Sequence, residues 1–138
     1  MVNVMNVEYL SKVPEWYKSN EKFDLVLSDD IDSLTTVAVV QSVHPNWNVE
    51  YFYDFDNIYA SPDAYFKENK SRTRVWCDVA FCRNEMAFDN HISRKDIDDH
   101  VNPRCINPNI LASVSNYGYT NKYAGSTALL VWSLYNIP

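Results

Sequence analysis

Acidic residues close apolar runs at three places in this chain. Asp30 and Asp32 follow the run from Phe23 to Leu27, and Asp78 follows Thr73-Arg74-Val75-Trp76-Cys77. Asp89 follows Glu85-Met86-Ala87-Phe88 and leads into Asn90-His91. If each run is a strand of a mainly parallel sheet, the C-terminal ends share one edge, where open α/β proteins bind their ligands. Carboxylates brought together there repel one another unless a cation neutralises them. Oxygen ligands joined by one imidazole suit Mn2+ or Mg2+ better than zinc, and a pair of such ions would activate water and stabilise a phosphoryl transition state. Asp and Asn are also common turn and N-cap residues, and a solitary histidine is readily a structural hydrogen-bonding group. The repeated strand-end placement is what singles these residues out.

The elements that would position them follow from hydrophobic spacing. Val7, Leu10, Val13, Trp16 and Tyr17 approximate a helical repeat interrupted by Pro14, which predicts a short or broken helix from about Val7 to Lys18. Phe23 to Leu27 reads as a strand, and Asp32 to Val43 as a helix ending before Pro45. Val49 to Tyr53 is a second strand, Asp54 to Tyr59 a polar-aromatic connection, and Pro62 to Asn69 a short helix. Thr73–Asp78 and Glu85–Asp89 complete the strands, and the irregular stretch from Ser93 to Asn109 reads as an ordered loop carrying Pro103 and Pro108. Gly125 to Tyr135 is an apolar helix whose start is marked by Ser126 and Thr127. Strands and helices alternating in this order predict an α/β domain with a mainly parallel sheet flanked by helices.

Composition narrows the function classes. The 138 residues suit one domain with a sizeable core, and 46% hydrophobic with 22% charged residues excludes disorder. With only Gly118 and Gly125 present, no glycine-rich phosphate loop can be built. A net charge of −6 argues against a broad basic surface for duplex DNA. A nucleotide or short single-stranded nucleic acid remains admissible if metal supplies the positive charge, as does an acidic surface that imitates nucleic acid. Cys77, Cys82 and Cys105 are odd in number and lack zinc-like spacing, pointing to reduced, buried thiols in a cytoplasmic protein. No basic start precedes a long apolar run and no run reaches membrane-spanning length, so a soluble, intracellular chain is expected.

The series Ser28-x-Asp30-x-Asp32, then Asp78, then Asp89-Asn90-His91, resembles the DHH phosphoesterase superfamily, which includes RecJ-type exonucleases and oligoribonucleases. Asn107-Pro108, Tyr117, Lys122 and Tyr123-Ala124-Gly125-Ser126-Thr127-Ala128 are similar to the stretch leading to the helix after the family's triplet, so the resemblance spans about Phe23 to Tyr135. It implies a Rossmann-like, DHH-type fold and a phosphodiester-cleaving site with Mn2+ or Mg2+ held by Asp30, Asp32, Asp78 and the position of Asn90, with His91 as a further catalytic residue. Ser28 and Asn90 stand where the family has metal-binding histidines. Its later metal-binding aspartate and its C-terminal substrate domain have no counterpart here, giving a single DHH-like domain over residues 1–138. The resemblance therefore implies a phosphoesterase-like domain for a nucleotide or short oligonucleotide, or a catalytically degenerate relative that binds or inhibits another protein.

Other constellations are weaker. Arg94-Lys95-Asp96-Ile97-Asp98-Asp99-His100 offers cation ligands but has the pattern of a solvated loop, and Asp54 and Asp56 sit at strand-end spacing that also suits a turn. Ser126 opens a helix whose first amides could hold an anion, and Arg83 and Lys122 are candidate phosphate contacts. Tyr51, Phe52, Tyr53, Phe55, Tyr59, Tyr65 and Phe66 form an aromatic middle suited to core packing, base stacking or a partner surface.

Overall fold

Apolar runs become strands where both faces are covered. The computed structural model describes residues 5–66, 72–80, 83–123 and 125–138. In β1 (Asp24–Ser28) the adjacent residues Leu25 and Val26 are both fully buried, and since neighbours on a strand point to opposite faces, this strand is covered on both. β4 (Arg74–Cys77) and β5 (Met86–Phe88) are buried in the same way. Beside β1 lies β2 (Asn48–Tyr53), then β3 (Ile58–Ala60) at one edge, with β6 (Cys105–Ile106) at the other. The sheet order is β3-β2-β1-β4-β5-β6; β2 and β3 pair antiparallel and every other neighbouring pair is parallel. The architecture is thus α/β, with a mixed, mostly parallel sheet flanked by helices.

The helices are α1 (Val7–Leu10), α2 (Ile31–Val43), α3 (Pro62–Phe66), α4 (Pro108–Leu111) and α5 (Thr127–Leu134), with short 3-10 turns at Glu15–Lys18 and Asn116–Asn121. α2 and α5 pack against each other. The larger core joins Leu25, Val40, Trp47, Val75, Phe88 and Val131, and the smaller joins Val26, Trp76, Ala87 and Cys105, backed by Tyr51 and Tyr53. Among the described residues no helix is long and apolar enough to cross a membrane.

Two strands depart from the sequence expectation. The connection after Tyr53 holds a tight turn and then β3: Asp54 Oδ1 accepts from the amides of Asp56 at 2.9 Å and Asn57 at 2.6 Å, so these acids form a turn, with Phe55 at φ 73°. The segment read as an irregular loop contains β6, because Phe88 and Ile106 pair in register. The helix starting at Pro62 is described to Phe66 only, and Cys82 and the rest of that expected helix lie outside the described residues.

A buried seam closes the larger core near the end of α2. Trp47 is fully buried, donates its indole N–H to the Glu21 carbonyl at 2.8 Å, and stacks on His44 with ring centroids 4.0 Å apart. His44 Nε2 donates to the Tyr17 carbonyl at 2.9 Å, and burial pushes its pKa down. Below the unfolded histidine value, about 6.5, the unfolded chain binds the extra proton more readily, so this residue costs stability as pH falls. His91, described below, titrates in the opposite sense, so the comparison must be between variants. The thermal midpoint of His44→Gln should fall less than that of the wild type between about pH 7.5 and 5.5; equal falls would show that His44 is not buried in its neutral form.

Candidate metal centre

The residue after β4 begins the site. Asp78 continues the ladder by donating its amide to the Phe88 carbonyl at 2.9 Å, then turns into the left-handed region at φ 60°. Such a conformation costs of order 1 kcal/mol for a residue with a Cβ and persists where the surroundings fix it. Here Thr127 fixes it, its hydroxyl donating to Asp78 Oδ1 at 2.7 Å. Asp89 prolongs β5 in the same manner, its amide donating to the Ile106 carbonyl at 3.1 Å. Its carboxylate is fully buried: Oδ2 accepts from Asn107 Nδ2 at 2.8 Å and from the His91 amide at 3.1 Å, while Oδ1 lies 2.7 Å from His91 Nδ1. His91 Nδ1 is also 3.9 Å from Asp78 Oδ1. One ligand atom from each of Asp78, Asp89 and His91 falls within 4.8 Å of the others.

The electrostatics match this crowding. Burial, more than any neighbouring charge, raises the Asp78 pKa; the Thr127 hydroxyl and His91 oppose it, while Asp32 and Asp89 add to it. The hydrogen bond to Asp89 raises the His91 pKa against its partial burial. The neighbouring carboxylates thus favour a proton on the imidazole.

The other acids have different duties. Asp32 stands beside the cluster, near enough to raise the Asp78 pKa, but its oxygens are occupied by α5: Oδ2 accepts from the Thr127 amide at 2.8 Å and Oδ1 from the Ala128 amide at 2.9 Å. Asp30 is exposed and caps α2, accepting from the Asp32 amide at 2.8 Å, and it is not part of the three-residue cluster. Ser28 is buried, its hydroxyl directed to the Cys77 carbonyl at 3.4 Å. Asn90 spends its side-chain amide on the Gly125 carbonyl, and its own carbonyl accepts from Asn109 Nδ2 at 2.6 Å.

Of the expected substrate contacts, Lys122 is half-buried and close enough to oppose protonation of His91. Arg83 is exposed in the β4–β5 connection, with no bond to the cluster among the described residues. Ser126 caps α5 by accepting from the Leu129 amide at 3.0 Å, and the α5 amides expected to hold an anion already hold Asp32. The sequence reading missed Thr127 as a site residue, and with it Asn107, which ties Asp89 to the His91 carbonyl. Both are neutral; the one signal for Asn107 was the Asn-Pro pair at a helix start.

No family model, curated protein or solved structure matches this chain.

The donor set suits a divalent cation. Two buried carboxylates and an imidazole offer the oxygen-rich coordination favoured by Mn2+ or Mg2+. A cation would take the place of the imidazole proton, so binding should release it. Because the His91 pKa is raised, apparent Mn2+ affinity should increase as pH rises through the upper histidine range. Calorimetric titration in buffers of different ionisation enthalpy should show about one Mn2+ per chain with net proton release, and Asp78→Asn should weaken binding at least about tenfold. Uptake without proton release would place the ion elsewhere.

Proposed function

We propose that this chain is a metal-dependent, phosphoesterase-like domain of the DHH type, acting on the phosphodiester of a nucleotide or short oligonucleotide. The observation that carries the reading is the convergence of Asp78, Asp89 and His91 at the C-terminal ends of adjacent parallel strands. Asp78 and Asp89 would hold the ion, and His91 would complete the set. When bound, Mn2+ or Mg2+ polarises a phosphoryl oxygen and lowers the pKa of water.

The chain's own residues do the rest. Asn107 and the His91 amide fix Asp89, which in turn orients the imidazole at 2.7 Å. Thr127 keeps the Asp78 carboxylate aimed at the same point. Lys122 supplies positive charge beside an otherwise acidic edge, where an anionic substrate must approach. Asp30 and Asn90, engaged elsewhere, favour one ion over the family's two. Cys77 and Cys105 are free and buried, which supports a reducing, cytoplasmic setting.

A second reading, a binding module without catalysis, is favoured by a different observation. Phe55, Ile58, Tyr59, Tyr65 and Phe66 are exposed on the outermost hairpin and α3, among Asp54, Asp56 and Asp63. That surface fits an extended, lysine-rich segment of a partner added along β3.

Hydrolysis decides between these readings. In Mn2+ the protein should cleave a short oligonucleotide, with products identified by mass spectrometry, and Asp78→Asn should lower kcat about a hundredfold or more. No cleavage, together with displacement of the β3 amide resonances by a lysine-rich peptide, would support the binding module instead.

A further inference from the structure

The chain leaving His91 runs directly into a surface cavity. This open cavity of about 350 Å3 is lined by Ala80, Ile92, Ser93, Arg94, Lys95 and Asn116. Ala80 is two residues beyond Asp78 and Ile92 is next to His91, so at no more than about 3.6 Å of chain per residue the cavity adjoins the carboxylate cluster.

Its polar groups are unusual in being fixed yet incompletely used. Arg94 Nε donates to the Val114 carbonyl at 3.3 Å and Nη1 to the Ile97 carbonyl at 3.1 Å, while the Arg94 carbonyl accepts from the Asn116 amide at 3.2 Å. These bonds anchor the guanidinium on one side. Arg94 Nη2 and Ser93 Oγ are both buried and have no hydrogen-bond partner among the described residues. A buried, unsatisfied donor is costly, more so on a charged group, and an oxyanion satisfies both atoms at once. Lys95 adds a second positive charge at the exposed rim. Three acids share this loop: Asp96 and Asp98 are exposed, and Asp99 turns its Oδ2 into the loop, accepting from the Lys95 and Asp96 amides at 2.9 Å each, so the charge that reaches the cavity is carried by where Arg94 and Lys95 are held rather than by an excess of cations. A cavity lined by an arginine, a lysine and a hydroxyl, with no acid in its lining, suits an anion.

We infer that this cavity is a phosphate subsite, with Arg94, Ser93 and Lys95 gripping the terminal phosphate of a short oligonucleotide whose scissile linkage lies at the Asp78–Asp89–His91 cluster. The substrate assignment rests on the phosphoesterase reading; the anion site itself does not. With Nε and Nη1 engaged, Nη2 donates to one oxygen of the anion and the Ser93 hydroxyl and Lys95 ammonium to others, oxygens that a phosphate monoester presents and an unphosphorylated end lacks.

The test is calorimetry with the metal chelated, using inorganic phosphate, a 5′-phosphorylated thymidine dinucleotide and the same dinucleotide without that phosphate. The wild type should bind inorganic phosphate, and should bind the phosphorylated dinucleotide about tenfold more tightly than the other. Arg94→Gln should abolish that preference; because it also removes bonds to Val114 and Ile97, Ser93→Ala and Lys95→Gln serve as variants that keep them, and each should reduce it several-fold. Equal binding of the two dinucleotides by the wild type, or a preference untouched in Ser93→Ala and Lys95→Gln, overturns the inference. Phosphate binding by a chain that takes up no Mn2+ supports the subsite and overturns the metal reading. Mn2+-dependent hydrolysis with no preference for the phosphorylated dinucleotide does the reverse.

Discussion

The N-terminus of α5 is held by a carboxylate from another helix. Asp32, on the first turn of α2, accepts from the opening amides of α5, and Thr127, the first residue of that helix, passes its hydroxyl to Asp78 at the end of β4. A carboxylate in this position meets both the unpaired amides and the positive end of the helix dipole, an arrangement worth up to about 2 kcal/mol when partly buried. Its larger consequence is geometric. The contact locks α2, α5 and the sheet edge together where Asp78 must hold a left-handed backbone. Without it, nothing described would aim the Asp78 carboxylate at Asp89 and His91.

Charge balance explains why that edge stays folded. Asp32 and Asp89 lie close enough to raise the Asp78 pKa, and among the described residues His91 and Lys122 bring positive charge to this edge. Neutral partners, Asn107 and Thr127, disperse the rest through hydrogen bonds. A proton on His91 and a divalent cation are alternative solutions to the same repulsion. A few residues further on, Arg94 and Lys95 line a separate cavity. The proposed cation site and the proposed anion site would therefore be neighbours on one edge.

How much of this the sequence disclosed depends on burial and on distance along the chain. β1, β2, β4 and β5 were legible because strands packed against a core leave apolar runs, and α2 and α5 because of their apolar content and start signals. β3 is exposed at every residue and carries no such signature, and β6 is a pair of residues inside a proline-bearing stretch. In the site, Asp78, Asp89 and His91 could be found as strand-end residues. Asp30 and Asp32 were equally visible, but a carboxylate ahead of a helix serves as well for capping as for ligation, and the partner of Asp32 lies 95 residues away. Thr127 and Asn107 gave almost no signal, since a neutral side chain announces its partner only once the fold supplies it. Arg94 stood in a charge run that looked like solvated loop; its burial and anchoring are properties of the folded chain.

We propose that Asp78, Asp89 and His91 form a single cation site at the parallel-strand edge. Anomalous diffraction from crystals grown with Mn2+ tests it without reference to any reaction. One strong peak bounded by those three side chains, with Asp30 still capping α2, is the expected result. No peak there, or manganese bound instead through Asp30, would contradict it.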